Sequence, residues 1–427
     1  MRFIKTPVKG MCDMLPSDMR LREYVFSLIK QSYSKYGFMQ IETPAMEHIE
    51  NLSSKQGGDN EKLIFKVLKR GASLKSALEK GSFDDIADNG LRYDLTVPLA
   101  RYYANNAEKL PTPFKALQIG SVWRADNPQK GRFRQFTQCD IDVLGDDSNL
   151  AEIELIGATS DMLATIFRSF ADKGVKVSGL TVHINDRRIL RAICLQAGFA
   201  EEDIAGVLVS LDKLDKIGMD GVRNELMAGG YTEERVDKYL SFFKNTESAD
   251  CKEFCGGIDE NFLSGKVVEC ISDIISSVSA MADSSVKIAF DPTLVRGMGY
   301  YTGTIFEISI DGYGFSIAGG GRYDEMIGKF SGNNVPACGF SIGFERIITI
   351  LKDMLGESFK INDGGIAILV HKDVSTAKKV ELFEKAKALR AEGKTVTVIP
   401  MKKNLNAQFK KLEEEGYTQF EKVYANN

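Results

Sequence analysis

The sequence predicts an α+β fold made of a strand-rich body, a helical insertion and a small α/β domain near the carboxy terminus. Two strands, at 117–126 and 133–144, enclose a link of turn-forming residues, which predicts a long antiparallel hairpin. Between 187 and 275 the apolar residues keep a helical period without a convincing strand. From 364 onwards the order is βαβα, which is typical of an α/β domain.

The body begins with an amphipathic helix at 18–36, in which apolar residues recur at spacings of three and four. A strand at 38–43 follows. The polar stretch 69–90 indicates a partly helical insertion. An extended segment then runs from Leu91 and stops at Pro98, because proline cannot donate a backbone hydrogen bond to a sheet.

After the hairpin, the pattern of the body continues on both sides of the helical insertion. We expect helices at 149–170 and 344–354, and strands at 180–185, 286–290, 304–310, 315–318 and 338–342. A polar stretch at 356–365 indicates a linker. In the last domain we expect strands at 366–370 and 395–399 and helices at 376–392 and 405–415.

The composition of the 427 residues is that of an ordinary globular protein, with 43% hydrophobic and 27% charged residues. We find no signal peptide and no membrane-spanning run, and therefore expect a cytoplasmic protein without membrane contact. The seven cysteines are an odd number, which indicates reduced thiols, and only Cys251 and Cys255 lie close together. We predict no metal site formed by protein side chains.

The net charge of −4 argues against a wholly basic surface that coats nucleic acid. Residues 364–427 nevertheless carry twelve Lys or Arg against eight Asp or Glu. This local excess is compatible with contact to a polyanion and equally with a solvated lysine-rich face.

The second strand of the hairpin has an unusual polar face. Strand alternation puts Phe136, Gln138, Asp140 and Asp142 on one side and apolar residues on the other. If this face lines a pocket, Gln138 and Asp142 can bind an ammonium or an imidazole group by charge-assisted hydrogen bonds; the alternative is an ordinary solvated face. The neighbouring arginines favour a ligand with a polyphosphate, because guanidinium groups pair well with phosphate; they are Arg124, Arg132 and Arg134.

Two other segments combine arginine with glycine. Arg296, Tyr300 and Tyr301 lie among glycines, and glycine lets the backbone approach a ligand closely. A run of three glycines starts at Gly319, and Arg346 stands in the first turn of a helix that is entered through glycine. Each pattern alone is weak, and a purely structural role is the simpler interpretation of Arg346.

Other catalytic signatures are missing from the sequence. We find no Walker loop, Gly-x-Ser-x-Gly elbow or zinc-protease helix. The three histidines, His48, His183 and His371, are too scattered to predict a catalytic triad. The chemistry is therefore expected in the hairpin and the two glycine-rich segments.

Taken together, these segments resemble the three signature motifs of class II aminoacyl-tRNA synthetases and, more narrowly, those of histidyl-tRNA synthetases. The matching segments are 8–16, 91–98, 122–138 and those around Arg296 and Gly319. The Arg296 segment with its paired tyrosines is specific to the histidine enzymes, and the similarity covers nearly the whole chain.

The resemblance implies a class II synthetase-like antiparallel sheet flanked by helices, and a homodimer formed through the first motif near Pro44. The catalytic core would comprise 1–186, with motifs 1 and 2, and 276–355, with the histidine motifs and motif 3. Residues 187–275 would be a helical insertion. Residues 364–427 resemble an anticodon-binding α/β domain that stops before its last strand and helix.

The function implied by the resemblance is ligation of histidine to its tRNA. L-Histidine and ATP, with Mg²⁺ as a cofactor, would give histidyl-adenylate, and the histidyl group would then pass to tRNA(His). Arg124 and Arg296 would neutralise the α-phosphate. Arg132 and Arg346 would bind the distal phosphates and the adenine side, while Phe136 would stack on the adenine.

The resemblance also implies which residues bind the amino acid. Asp94, Thr96 and Gln138 would bind its ammonium group, and Asp142 and Tyr301, with Tyr300 beside them, would recognise the imidazole. The basic hairpin tip with Gln129 and Lys130 would lie near the tRNA acceptor end.

Two residues depart from the family pattern. Asp126 stands where the general motif often has Glu, and Gly299 replaces an acid of many relatives. The alternative is a histidine-sensing synthetase paralogue, such as the regulatory subunit of ATP phosphoribosyltransferase, although such paralogues tend to lose residues retained here, such as Arg124 and Tyr301. A nonenzymatic RNA-binding protein would need the basic tail but not the pocket.

Overall fold

The computed structural model describes residues 3–53, 60–81, 84–128, 131–177, 179–244, 250–296, 299–356 and 364–425. The chain forms two compact units, one of Met1–Cys12 with Leu28–Leu351 and the other of Asp13–Ser27 with Lys352–Asn427. Within the described ranges, no helix is both long and apolar enough to span a membrane.

The described strands and helices follow in chain order. The strands are β1 Met39–Ile41, β2 Met46–His48, β3 Lys66–Leu68, β4 Ala87–Leu91, β5 Phe114–Trp123, β6 Gln135–Leu144, β7 Leu180–Asp186, β8 Val286–Phe290, β9 Thr304–Ile310, β10 Ser316–Arg322, β11 Ala337–Gly343, β12 Gly365–Val370, β13 Val396–Pro400 and β14 Tyr417–Val423. The helices are α1 Pro16–Lys35, α2 Ile49–Leu52, α3 Gly71–Glu79, α4 Thr96–Asn106, α5 Leu150–Arg168, α6 Arg187–Ala197, α7 Ile204–Leu211, α8 Leu214–Ala228, α9 Glu233–Ser241, α10 Cys251–Cys255, α11 Gly265–Met281, α12 Gly328–Ser331, α13 Phe344–Leu355, α14 Thr376–Ala391 and α15 Leu405–Glu414.

An eight-stranded sheet organises the first unit, in the order β1-β5-β6-β11-β10-β9-β7-β8. The six strands from β5 to β7 pair antiparallel, while β1 and β8 join the two edges in parallel. The antiparallel sheet and the β5–β6 hairpin are thus confirmed, and the parallel edge strands are an addition. A second small sheet, β2-β4-β3, was not predicted.

Helix α5 packs against β6 and β11. Most of its apolar residues are buried, among them Leu155, Ile156 and Met162. The predicted helical insertion is present as α6 to α11, with no strand in the described residues between β7 and β8.

Two local predictions are wrong, and both concern proline or glycine. The segment before Pro98 is not extended throughout, because α4 begins at Thr96 and contains Pro98 in its first turn. Proline is tolerated there, since the first N–H groups of a helix have no helical acceptor. Strand β10 does not stop at 318 but continues through the glycine run to Arg322. Its glycines pair with both neighbouring strands, which offsets the low strand preference of glycine.

A buried ion pair joins β10 to α5. The guanidinium of Arg322 donates to both carboxylate oxygens of Glu152, at 2.7 and 2.6 Å, and also to the backbone oxygens of Asp146 and Ser148. Both charged side chains are buried. This geometry is bidentate and fully hydrogen-bonded, which is what makes a buried pair tolerable.

In the second unit, β12 pairs in parallel with β13 on one side and β14 on the other. The apolar residues of α14 pack in one cluster with this sheet, and those of α15 pack in another. The predicted βαβα order is present, and β14 is a strand that the sequence reading missed. Most of the predicted linker, 357–363, lies outside the described residues.

We expect Glu152→Ala to lower the free energy of unfolding by roughly 3 kcal/mol, because it leaves the buried Arg322 cation with Asp324, which is partly exposed and 3.2 Å away, as its remaining ionic partner. The matched control is Glu154→Ala on the same helix, where the lost partner Lys115 is partly exposed and the cost is at most about 1 kcal/mol. Urea unfolding of the two variants measures the difference. Equal losses would contradict the role given to the ion pair.

Candidate active site

The polar face of β6 lies in the middle of the antiparallel sheet, between β5 and β11. Gln138, Asp140 and Asp142 alternate along it, and all three are buried. The Gln138 amide donates to Ser341 Oγ at 2.7 Å and lies 3.5 Å from Asp140 Oδ2. The solvated-face interpretation of this strand is therefore wrong.

Glycines of the neighbouring strands leave the room that these side chains occupy. A Cβ atom on Gly339 of β11 would lie 2.0 Å from Asp142 Oδ1. A Cβ atom on Gly319 of β10 would lie 2.5 Å from Arg296 Nη1. Both distances are far shorter than van der Waals contact, so a side chain at either position would force the neighbouring charged group to move.

Arg296 forms an ion pair with Glu307 of β9. Glu307 is the register partner of Gly319 on β10. Its Nε atom is buried and has no hydrogen-bond partner. Tyr300 and Tyr301 follow, with ring centroids 4.8 Å apart. The negative charge of Glu307 thus orients the guanidinium across the glycine surface.

Arg124 lies just beyond the end of β5. Its Nε donates to the backbone oxygen of Tyr93 at 3.0 Å, and its guanidinium carbon lies 4.9 Å from the Tyr93 ring centre and 5.2 Å from that of Phe136. Arg132, on the same hairpin, is half exposed and pairs with Asp126 at 3.2 Å. The shorter Asp126 side chain therefore still pairs with an arginine of the hairpin.

Arg346 in the first turn of α13 belongs to the same charged group. Its guanidinium donates to the backbone oxygen of Ser316 and lies over the ring of Phe315. Burial lowers the pKa of Arg346, and the negative charge of Glu307 opposes this effect. The positive charges of three other arginines lower the pKa further; they are Arg296, Arg132 and Arg124. Arg346 is therefore close enough to three guanidinium groups from distant parts of the sequence to be repelled by each of them.

Asp94 lies on the other side of Arg124. One carboxylate oxygen accepts from the backbone N–H of Val97 at 3.0 Å, in the first turn of α4. Burial raises the pKa of Asp94, and the Val97 N–H and the charge of Arg124 lower it in part. The Tyr300 hydroxyl is within hydrogen-bonding reach of Thr96, so the predicted amino-acid-binding residues meet at this helix start.

Asp142 has one partner that the sequence did not predict. The Tyr323 hydroxyl donates to Asp142 Oδ1 at 2.5 Å. Burial raises the pKa of Asp142 to about 7; the Tyr323 hydrogen bond lowers it, and the negative charge of Asp94 raises it further. A carboxyl group with such a pKa can change its protonation state near neutral pH.

Unpaired buried atoms concentrate at this site. In the part of the chain that the structure describes, nine buried side-chain N or O atoms have no hydrogen-bond partner. Five of them are Asp94 Oδ2, Gln138 Oε1, Asp140 Oδ1, Asp142 Oδ2 and Arg296 Nε. A buried unpaired group costs roughly 1–3 kcal/mol, so a site with four free acceptors favours a ligand rich in N–H donors.

The structure brings most of the predicted site residues together. Gln129 and Lys130 of the hairpin tip lie outside the described residues. Sequence reasoning missed the roles of Tyr93, Glu307, Tyr323 and Ser341. Tyr93 lies inside the segment 91–98, Glu307 and Tyr323 lie near the Arg296 and Gly319 motifs, and Ser341 lies in the predicted strand 338–342, but nothing in the local pattern indicated their partners.

One histidine takes part in a hydrogen-bonded chain that the sequence pattern did not indicate. His183 Nδ1 lies 3.1 Å from Asp291 Oδ2, and its Nε2 lies 2.9 Å from Ser309 Oγ. His183 is also the register partner of Glu307 on the adjacent strand. The chain thus links β7, β9 and the end of β8 next to the Glu307–Arg296 pair. Among the described residues, no group of three His, Cys, Asp or Glu could hold a metal ion, and all seven cysteines are free.

The antiparallel sheet, with arginines from its hairpin and from the helix after its last strand, defines the catalytic fold of class II aminoacyl-tRNA synthetases. The family model for histidyl-tRNA synthetase matches residues 10–347. The chain belongs to the histidyl-tRNA synthetase family.

Curated relatives agree with this family. The chain is 45% identical over 363 residues to a histidine–tRNA ligase of Leifsonia xyli subsp. xyli, covering 81% of this chain and 80% of that protein. It is 40% identical over 400 residues to a probable histidine–tRNA ligase of Tropheryma whipplei, covering 90% and 89%.

Solved structures share the fold. The histidyl-tRNA synthetase of Nostoc sp. PCC 7120 superposes with a TM-score of 0.75 at 28% identity, covering 97% of this chain and 90% of that one. A Bacillus halodurans protein described as an ATP phosphoribosyltransferase regulatory subunit/histidyl-tRNA synthetase superposes with a TM-score of 0.76 at 20% identity, covering 99% of each chain. At that identity the likeness concerns the fold alone.

Gly319→Ala tests the close approach of Arg296 to the sheet. We expect it to destabilise the protein by about 1–3 kcal/mol, because the added methyl group overlaps the guanidinium. The same substitution should cost less in an Arg296→Ala background, where the overlapping group is gone. Gly314→Ala, which points into open space, is the control. Urea unfolding measures the loss of stability in each case. An equal cost of Gly319→Ala with and without the Arg296 side chain would refute the contact.

Proposed function

We propose that this protein is a histidine–tRNA ligase that activates L-histidine with ATP to histidyl-adenylate and transfers the histidyl group to tRNA(His). The observation that carries the proposal is the group of free buried acceptors beside four arginines. The acceptors suit the N–H groups of histidine, and the arginines suit a triphosphate. Membership of the histidyl-tRNA synthetase family supports the same reaction.

In the first step the histidine carboxylate attacks the α-phosphorus of ATP, and pyrophosphate leaves. Negative charge grows on the phosphate oxygens, and fixed cations stabilise it without having to reorganise. We assign Arg124 and Arg296 to the α-phosphate, and Arg132 and Arg346 to the distal phosphates and the adenine side. Phe136, whose ring lies beside Arg124, would stack on the adenine.

Mg²⁺ fits this site as an ion that arrives on the nucleotide. Magnesium is commonly bound through substrate phosphates with few protein ligands, and the described residues contain no ready-made group of three metal-binding side chains. Bound in this way, the ion would supply further positive charge to the phosphates. The protein's own part is to orient the triphosphate with its guanidinium groups.

Histidine would be recognised at both ends. We assign Asp94, Thr96 and Gln138 to its ammonium group. Asp142 and Tyr301, with Tyr300 beside them, would bind the imidazole. An apolar analogue would leave these buried groups unpaired, which is how a polar site rejects it strongly.

Transfer to tRNA is the second step. The tRNA acceptor end would approach the hairpin tip with Gln129 and Lys130, and the basic 364–427 segment would contact the tRNA as an anticodon-binding domain. We further propose a homodimer formed through the first motif and action in the cytoplasm.

The function is tested by histidine-dependent exchange of labelled pyrophosphate into ATP, followed by charging of tRNA(His). Exchange and charging together are the expected result. Tight binding of histidine without exchange would instead favour a histidine-sensing paralogue. Exchange without charging would refute the transfer step alone.

We predict that Arg296→Ala separates activation from binding. It removes a cation needed at the developing phosphate charge, so the rate of adenylate formation should fall by about 10²–10³-fold. The Kd of histidine should change by less than about threefold, a difference worth well under 1 kcal/mol. Single-turnover kinetics measures the rate of adenylate formation, and calorimetry measures the Kd of histidine. Arg191→Ala, at an exposed arginine, is the matched control. Equal losses in both would contradict the assignment.

Tyr323→Phe should shift the pH dependence of histidine binding upwards. The Tyr323 hydrogen bond stabilises the Asp142 carboxylate, so its loss raises the pKa of Asp142 above about 7. The carboxylate is the better acceptor for a ring N–H. When the pH is lowered, the Asp142 carboxylate of the variant would become protonated at a higher pH than that of the unsubstituted protein. Calorimetric titration between pH 6 and 9 compares both proteins, in which free histidine ionises identically. An unchanged midpoint would count against this role.

A further inference from the structure

We propose that Asp140 directly accepts a hydrogen bond from the ammonium group of the amino acid and so helps to select histidine over ligands that lack this group. The inference rests on the proposed function and makes Asp140, in place of Thr96, the third acceptor of the ammonium site beside Asp94 and Gln138. Neither the family motifs quoted above nor the pattern of the sequence assigned a role to Asp140.

The number of donors and acceptors supports a direct contact. Four buried acceptor atoms at the site have no partner, one each on Asp94, Gln138, Asp140 and Asp142. An ammonium group has three N–H donors, and a neutral imidazole ring has one. With Asp142 on the ring, the other three acceptors match the three ammonium donors.

Thr96, the third residue expected at the ammonium group, offers a neutral hydroxyl oxygen, which is a weaker acceptor for an ammonium group than a carboxylate is. Its side chain is already within hydrogen-bonding reach of Tyr300. Asp140 Oδ1, in contrast, is buried without any partner. The third ammonium N–H is therefore better matched by Asp140.

The neighbours of Asp140 hold its carboxylate in place and leave that one oxygen unused. Ser341, its register partner on β11, and Gln138 both lie within reach of the carboxylate. Gln118, its register partner on β5, donates to the backbone oxygen of Leu95. The side chain is thus oriented before any ligand arrives, which lowers the entropic cost of binding.

The cations near Asp140 do not neutralise it by direct contact. Arg92 donates to the backbone oxygens of Ser121 and Thr43. Arg124 donates to the backbone oxygen of Tyr93.

The electrostatic field around Asp140 also calls for a cationic ligand. Burial raises the pKa of Asp140 well above its usual value, the negative charges of Asp142 and Asp94 raise it further, and Ser341 and Arg124 oppose this. The hydroxyl groups of Tyr33 and Tyr301 are also close enough to interact electrostatically with this carboxyl group. A positive ligand group relieves the repulsion among the three carboxyl groups, which a neutral group of the same shape cannot do.

The test compares histidine with 3-(imidazol-4-yl)propanoate, which keeps the ring and the carboxylate but lacks the ammonium group. In Asp140→Asn we expect the affinity for histidine to fall by at least about tenfold, the range for a hydrogen bond between charged groups, and the affinity for the analogue to change by less than about threefold. Calorimetry measures both ligands. Asp147→Asn, on the exposed loop after β6, is the matched control.

Each result decides a separate question. Equal losses for both ligands, or no loss for histidine, would overturn the contact. If Asp140→Asn does not fold, the smaller Asp140→Ser is measured in the same way, with the same outcomes decisive. Failure of the proposed function would look different, because the unsubstituted protein itself would then show neither histidine binding nor pyrophosphate exchange.

Discussion

Repulsion between like charges that are held close together is the constraint on which this site depends. The positive charges of Arg124 and Arg296 lower the pKa of Arg346. The carboxyl groups of Asp94 and Asp142 are buried, and one oxygen of each has no hydrogen-bond partner. Such an arrangement costs stability unless a ligand of matching charge completes it. The like charges stay close together because the groups project from a rigid antiparallel sheet. In the proposed function, a triphosphate and an amino acid supply the missing partners and so reduce the repulsion.

The sheet accommodates charged groups in two ways. Glycines at 319 and 339 remove side chains where the Arg296 and Asp142 groups must lie against the sheet. The Arg322–Glu152 pair, at the end of the same glycine run, is fully hydrogen-bonded and therefore structural. Charged groups with complete partners stabilise the fold, while those with free atoms are available for binding.

Fold and site carry different weight in deciding function. The Bacillus halodurans structure, at 20% identity, shares the architecture over nearly its full length, and architecture alone does not distinguish an enzyme from a sensor. The distinction depends on particular side chains: a sensor needs the acceptors around Asp142, whereas a ligase also needs cations at the α-phosphate. The unpaired acceptors and the arginines near them are the side chains to which the proposed function assigns these two roles.

The sequence alone determined the elements whose pattern is local. Alternation along 133–144 predicted the polar face of β6, the helical period predicted α6 to α11, and turn residues predicted the hairpin. It failed at the glycine run, which is a strand because the neighbouring strands β9 and β11 pair with it. It also failed at α4, which starts before Pro98 although the Asp94 carboxylate that accepts from its first turn is only three residues from Val97. Tertiary structure alone joined Tyr323 to Asp142 and His183 to Asp291, because hydrogen bonds and charges act through space and leave no periodic trace in the chain.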